Sequence, residues 1–287
     1  MRIRCEDGVE LHADRLSAVG EPRGVMVILH AMMADRRSMD RPSGAGLAST
    51  LAQRGWEVLN ADFRGHGRSG HGGPWTYDDL VRLDVPALCR AARELEVGPV
   101  WLCGLSLGGH VSTAALAESS VRGAPIADGL IALSSNVWCP WAEPSAVQRA
   151  LKQASTVGLL SVTRARGRFP ARRMRIGPSD EARPYVEDLV RFWQSNAWTA
   201  RDGTNWTQAL QHCSVPIEVV VGRGDTLLAR PMAVARFYSP APHHRVHVLG
   251  RGQLGLGWDP DHMGLGSDPR CRGAWSWMAD LPRVHRP

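Results

Sequence analysis

Apolar residues in this chain fall in short unbroken runs set between stretches of helical spacing. Residues 25–29, 56–61, 100–105, 130–133 and 217–221 read as strands buried on both faces, and 245–249 as one more strand. Residues 45–54, closed by Gly55, and 77–95, with Asp78 and Asp79 at the positive N-terminal end, carry helical spacing. So do 106–117, 232–237 and 274–281. Residues 1–18 alternate polar and apolar about Asp7-Gly8, the pattern of a β-hairpin. Strands alternating with helices predict an α/β fold: a mostly parallel central sheet with helices on both faces. From Asn136 to about Gln211 that rhythm stops. The segment holds Trp138, Trp141, Trp193, Trp198 and Trp206, several prolines, and helix-like runs at 145–154 and 184–193. It reads as a helical insertion, dividing the chain into a core of 1–137 and 212–287 and a lid of 138–211.

The chemistry concentrates where the run at 100–105 meets the helix. Gly104-x-Ser106-x-Gly108 places a serine on a sharp strand-to-helix turn. Larger side chains two residues to either side would clash with the neighbouring strand and helix, so both flanks are glycine. The turn lifts the hydroxyl above the sheet and aims the first amides of the helix at the same point. A serine hydroxyl needs a base, normally histidine, and that histidine needs an acid to hold its tautomer. Asp225, just beyond the strand at 217–221, stands where carboxylates point into the crevice at the carboxyl ends of parallel strands. His262, after the last strand and before the last helix, is the base; His243, His244 and His247 precede or sit within that strand. The order Ser106, Asp225, His262 is that of one particular scaffold. The oxyanion would be held by the amide of Leu107 and one from the loop His30-Ala31-Met32-Met33, with Met32 first choice.

Composition narrows the reading. Six cysteines are scattered without a C-x-x-C pair, which suits buried free thiols in a reducing cytoplasm rather than a disulfide frame or zinc site. The N-terminus lacks an apolar signal core, and no segment approaches the ~20 apolar residues of a membrane span. The net charge of +6 comes from arginines, Lys152 being the only lysine, and no nucleic-acid module accompanies it. Gly250-x-Gly252-x-x-Gly255 follows a late strand and runs into Gly257 and Pro260 rather than a helix, so it is no dinucleotide site. No compact His and carboxylate cluster suggests a metal, and no cofactor is expected. The dense run Arg164, Arg166, Arg168, Arg172, Arg173 and Arg175 is either solvated surface or an anion site for a substrate carboxylate, a phosphopantetheine arm or an acidic carrier protein.

Ser106 in its elbow, His30-Ala31 after the early strand, Asp62-x-Arg64-Gly65-His66-Gly67-x-Ser69, Asp225 and His262 together resemble the α/β-hydrolase superfamily, in its esterase, lipase and thioesterase group. The resemblance covers almost the whole chain; the insertion matches only as a helical lid. Ala31 departs from the glycine usual after that histidine, which narrows the loop but keeps the amide. The turn at Arg64-Gly65-His66-Gly67 is, by resemblance, a structural loop. The implied function is hydrolysis of a carboxylic ester or thioester of a small-molecule acyl substrate through an acyl-enzyme. The lid tryptophans Trp138, Trp141 and Trp193, with His30, are candidates for the pocket wall. Two alternatives remain: an acyltransferase delivering the acyl group to an alcohol, amine or thiol, and a non-enzymatic binding protein on the same scaffold.

Overall fold

The N-terminal alternation makes the expected hairpin, β1 (Arg2–Arg4) pairing antiparallel with β2 (Glu10–Leu16). The computed structural model, which describes residues 1–71 and 73–285, continues with β3 (Val25–Leu29), β4 (Glu57–Ala61), β5 (Val100–Leu105) and β6 (Gly129–Leu133). A separate pair, β7 (Arg168–Phe169) and β8 (Glu181–Ala182), precedes β9 (Ile217–Gly222) and β10 (His244–Leu249). The main sheet runs β1-β2-β4-β3-β5-β6-β9-β10, parallel from β4 to β10. Its inner strands, β3 to β6 and β9, are buried at every position and largely apolar, with Glu57, Asn60 and Glu218 as polar exceptions. β10 lies at the edge and keeps Arg245 and His247 partly in solvent.

Helices cover both faces. α1 (Leu47–Gln53) ends before Gly55, which takes φ 86°. α2 (Tyr77–Asp79) opens with a reciprocal cap between Thr76 and Asp79, then passes through a π-turn over Leu80–Asp84 into α3 (Val85–Arg93). Apolar spacing alone read this stretch as one regular helix. α4 (Leu107–Val121) follows β5 and is buried on nearly every side, so it shows no polar stripe. α3 and α4 pack on one face of the sheet, together with α5 to α8. These are α5 (Ala146–Arg166), α6 (Arg183–Ser195), α7 (Trp206–Ala209) and α8 (Pro231–Tyr238). α1 shares the other face with α9 (Gly264–Ser267) and α10 (Arg272–Met278). Asp62 and Arg64 brace the start: Asp62 accepts from Arg36, and Arg64 joins Asp7 (2.8 Å) to Asp84 (2.7 Å).

Between residues 138 and 211 the structure corrects the sequence reading twice. Strand pairing is not absent, because β7 and β8 form a short antiparallel ladder. And α5 runs past 154 to Arg166, where Gly167 takes φ 74°. Its second half is rich in Ser, Thr, Val and Gly, weak helix formers. Ser155, Ser161 and Thr163 turn their hydroxyls back onto carbonyls one turn earlier, at 2.9, 2.8 and 2.7 Å. The six arginines of 164–175 are exposed, Arg168 pairing with Asp180 at 3.0 Å. All six cysteines are free and buried. Among the described residues no helix is long and apolar enough to cross a membrane, and no group of three His, Cys, Asp or Glu could hold a metal.

Candidate active site

β5 ends at Leu105 and α4 begins at Leu107, leaving Ser106 alone on the corner with φ 52° and ψ −111°. Such angles cost a non-glycine residue about 1–3 kcal/mol and persist only where the surroundings enforce them. Here β6 does so: the Ser106 amide donates to Leu133 O (2.8 Å), and its carbonyl accepts from Ser135 Oγ (2.8 Å). The flanking glycines are required by close approach. A Cβ on Gly104 would sit 2.2 Å from the Gly108 carbonyl carbon, and one on Gly108 would sit 2.4 Å from Leu29 O of β3.

A second close approach sets the other two residues. A Cβ on Gly222 would lie 2.1 Å from Pro260 O, and one on Gly224 would lie 2.4 Å from Asp259 O. The Gly224 amide donates to Pro260 O at 3.0 Å. The loops carrying Asp225 and His262 therefore meet backbone to backbone. Asp225 is buried; its Oδ1 accepts from the amides of Leu228 (3.2 Å) and Ala229 (2.9 Å). His262 Nδ1 donates to Asp225 Oδ2 at 2.6 Å, and His262 Nε2 stands 2.9 Å from Ser106 Oγ. With its proton on Nδ1, the ring offers Nε2 as an acceptor to the hydroxyl.

Above Ser106 lies a cavity of about 310 Å³ lined by Met32, Leu107, His110, Trp138, Leu159, Tyr185 and His262 among others. The amides of Leu107 and Met32 have no hydrogen-bond partner among the described residues. The next amide, on Met33 at φ 63°, donates instead to Glu181 Oε1. None of the described lining residues is acidic.

Three expected wall residues lie elsewhere. His30 is buried beneath the loop, donating from Nδ1 to Ala31 O (2.8 Å) and accepting from the Phe63 amide at Nε2 (3.1 Å). Burial, helped by nearby His66, pushes its pKa down to about 3, so the ring is a neutral strut. Trp141 packs on Phe237 with ring centroids 6.2 Å apart. On α6 one stripe runs Tyr185, Leu189, Trp193; the first two reach the cavity, while Trp193 lies a turn beyond and donates to Gln153 of α5.

Other residues lie at or beside the site without being expected there from the sequence. His110 lies one turn along α4 from Ser106, a spacing that could have flagged it. Its Nδ1 is 2.8 Å from the Tyr77 hydroxyl, which also accepts from Trp198 Nε1 at 3.3 Å. Burial, then the proximity of His262, push His110 down to about 3, keeping it neutral. The sole lysine, Lys152, is buried in α5 with Nζ 3.1 Å from Glu143 Oε2 and 5.3 Å from the Trp138 ring centroid. Burial lowers its pKa more than Glu143 restores it. Arg230, in the loop after Asp225, reaches Glu143 Oε1 at 3.2 Å.

Comparison with known proteins gives one family match and many structural ones. Residues 20–250 match the family Hydrolase_4, described as serine aminopeptidase, S33. No curated protein matches the chain. An esterase from Thermogutta terrifontis, solved with malate, is 18% identical over 100% of this chain and 99% of its own, with a TM-score of 0.63. Est1E from Butyrivibrio proteoclasticus, solved with ferulic acid, is 17% identical over 100% of both chains, at 0.65. An enol-lactonase from Burkholderia xenovorans LB400 is 18% identical over 99% and 100%, at 0.62.

Proposed function

The chain belongs to the Hydrolase_4 family of α/β-hydrolase-fold enzymes, and we propose that it hydrolyses carboxylic esters or thioesters through an acyl-enzyme on Ser106. The observation that carries this reading is the unbroken relay Ser106 Oγ–His262 Nε2 (2.9 Å) and His262 Nδ1–Asp225 Oδ2 (2.6 Å) at the floor of an apolar cavity. Ser106 attacks the acyl carbonyl while His262 Nε2 takes its proton. The developing oxyanion is met by the free amides of Met32 and Leu107. His262 then protonates the departing alcohol or thiol. A water activated by the same nitrogen releases the acid. Asp225, pinned at Oδ1 by two amides, holds the ring through Oδ2.

The cavity favours an ester over an aminopeptidase substrate. An N-terminal ammonium would enter a wall with no described carboxylate to pair it, and an unpaired buried charge is strongly disfavoured. The esterase and lactonase names of similar structures agree with this choice. Turnover of short p-nitrophenyl esters, set against the matching aminoacyl p-nitroanilides, tests it. The expected result is ester turnover, at least about a thousandfold lower in Ser106→Ala, with a fluorophosphonate probe bound once per chain, at Ser106. Full turnover by Ser106→Ala overturns the proposal.

A further inference from the structure

Met33, the residue after the proposed oxyanion donor Met32, is held by the insertion on every polar atom of its backbone. Its amide donates to Glu181 Oε1, and its carbonyl accepts from the Ser179 amide at 3.2 Å. Gly177 presses on the same carbonyl so closely that a Cβ there would sit 2.3 Å from Met33 O. Met33 itself stands at φ 63°, a conformation an unbranched side chain adopts only under constraint. The strained backbone is thus gripped from outside the core, by residues more than 140 positions later in the chain.

Glu181 is in turn anchored. Its Oε1 also meets His66 Nε2 at 3.2 Å, and both side chains are fully buried. His66 Nδ1 donates to Arg64 O at 2.9 Å, and its ring packs at a tilt against His30 and Trp75 with centroids 4.9 and 5.4 Å away. Burial pushes the His66 pKa down, but the Glu181 carboxylate opposes this and the net shift is upward. One carboxylate oxygen therefore joins the Arg64-Gly65-His66-Gly67 turn of the core, the insertion, and the loop after β3.

From this we infer that Glu181 is a positioning residue: the segment Gly177–Glu181 clasps Met33 and thereby fixes the Met32 amide toward the oxyanion, so that the insertion completes the catalytic site as well as covering it. The inference rests on the proposed role of Ser106 and Met32. An oxyanion donor is effective only when held in place before charge develops, and misplacement by about 1 Å costs on the order of a hundredfold. Loosening the loop removes stabilisation of the transition state while leaving ground-state binding in the apolar cavity intact.

Steady-state kinetics on a short p-nitrophenyl ester, with Ki for a trifluoromethyl ketone that mimics the tetrahedral adduct, tests this. Glu181→Ala is expected to lower kcat about 10- to 100-fold, hold KM within about threefold, and weaken the ketone by the factor lost from kcat/KM. Glu181→Gln keeps an oxygen for the Met33 amide and is expected to recover most of the loss. Gly177→Ala, which leaves the His66–Glu181 pair in place, pushes the Met33 carbonyl from the other side and is expected to lower kcat in the same way. Wild-type kcat in Glu181→Ala and Gly177→Ala, with Ser106→Ala inactive, overturns this inference alone. So does a fall in Tm with kcat and ketone affinity unchanged below the transition. Activity in Ser106→Ala removes the reading on which it stands.

Discussion

At the scale of single residues, Asp225 divides its carboxylate between two tasks. Oδ1 is spent on the amides of Leu228 and Ala229, and Oδ2 alone faces His262. Asp225→Asn can satisfy the two amides with its carbonyl oxygen, which leaves its NH2 facing Nδ1 and drives the ring proton to Nε2. The expected outcome is a fall in kcat of about 10³- to 10⁴-fold with Tm within a few degrees of wild type, checked by kinetics and thermal melting together. Ser106 and Asp225 could be singled out because each follows closely on a plain apolar run, and His262, thirteen residues beyond the more polar β10, by its place between the last strand and the last helix. The glycines at 104, 108, 222 and 224 mark where backbones touch. Glu181 was not legible. Its significance comes from a contact with Met33, and nothing near either residue announces a partner 148 positions away. For Trp141 and Trp193 residue type suggests an apolar wall, but their direction is fixed by packing on Phe237 and Gln153 that spacing does not encode.

At the scale of elements, α5 shows how a helix can be held by a polar anchor rather than an apolar stripe. Among its described residues only Lys152, Thr156 and Thr163 are buried. Lys152 meets Glu143, which also takes Arg230 from the loop after Asp225. Glu143→Ala leaves the lysine buried without its counter-ion, and the expected cost is about 3–5 kcal/mol in urea unfolding. Lys152→Met keeps an unbranched side chain of similar length and leaves Glu143 its arginine, so its cost is expected to be smaller by at least about half. The reverse order of the two variants would show that the pair does not anchor the helix. The second half of α5 is not visible in the sequence because its support comes from β7 and α6 packed beside it, not from propensity.

At the scale of the whole molecule, the mostly parallel sheet was the most legible feature, since strands buried on both faces are predominantly apolar and the polar side chains they admit are bonded, as Glu57 is to Arg15 and Asn60 to the Arg36 carbonyl. Its acid sensitivity follows from two buried rings. His30 and His110 are held near pKa 3, against about 6.5 when unfolded. Below pH 6.5 the unfolded chain takes up protons that the folded one refuses, so stability falls as pH falls toward 3. Each ring contributes a loss of roughly 2 kcal/mol by pH 5. His66, shifted upward, acts in the opposite sense and only above pH 6.5. Urea midpoints from pH 7.5 to 5 are expected to decline, and His110→Gln is expected to flatten the decline by about one proton. The same depth of burial bears on the six cysteines, five of which are pushed up to about 12 chiefly by desolvation. Alkylating reagents attack thiolates that they can reach, and a folded chain of this kind offers none. A cysteine introduced on the outer surface of α5, at exposed Val157 for instance, would serve as a unique handle for a fluorophore or spin label, with every native sulfur left in place.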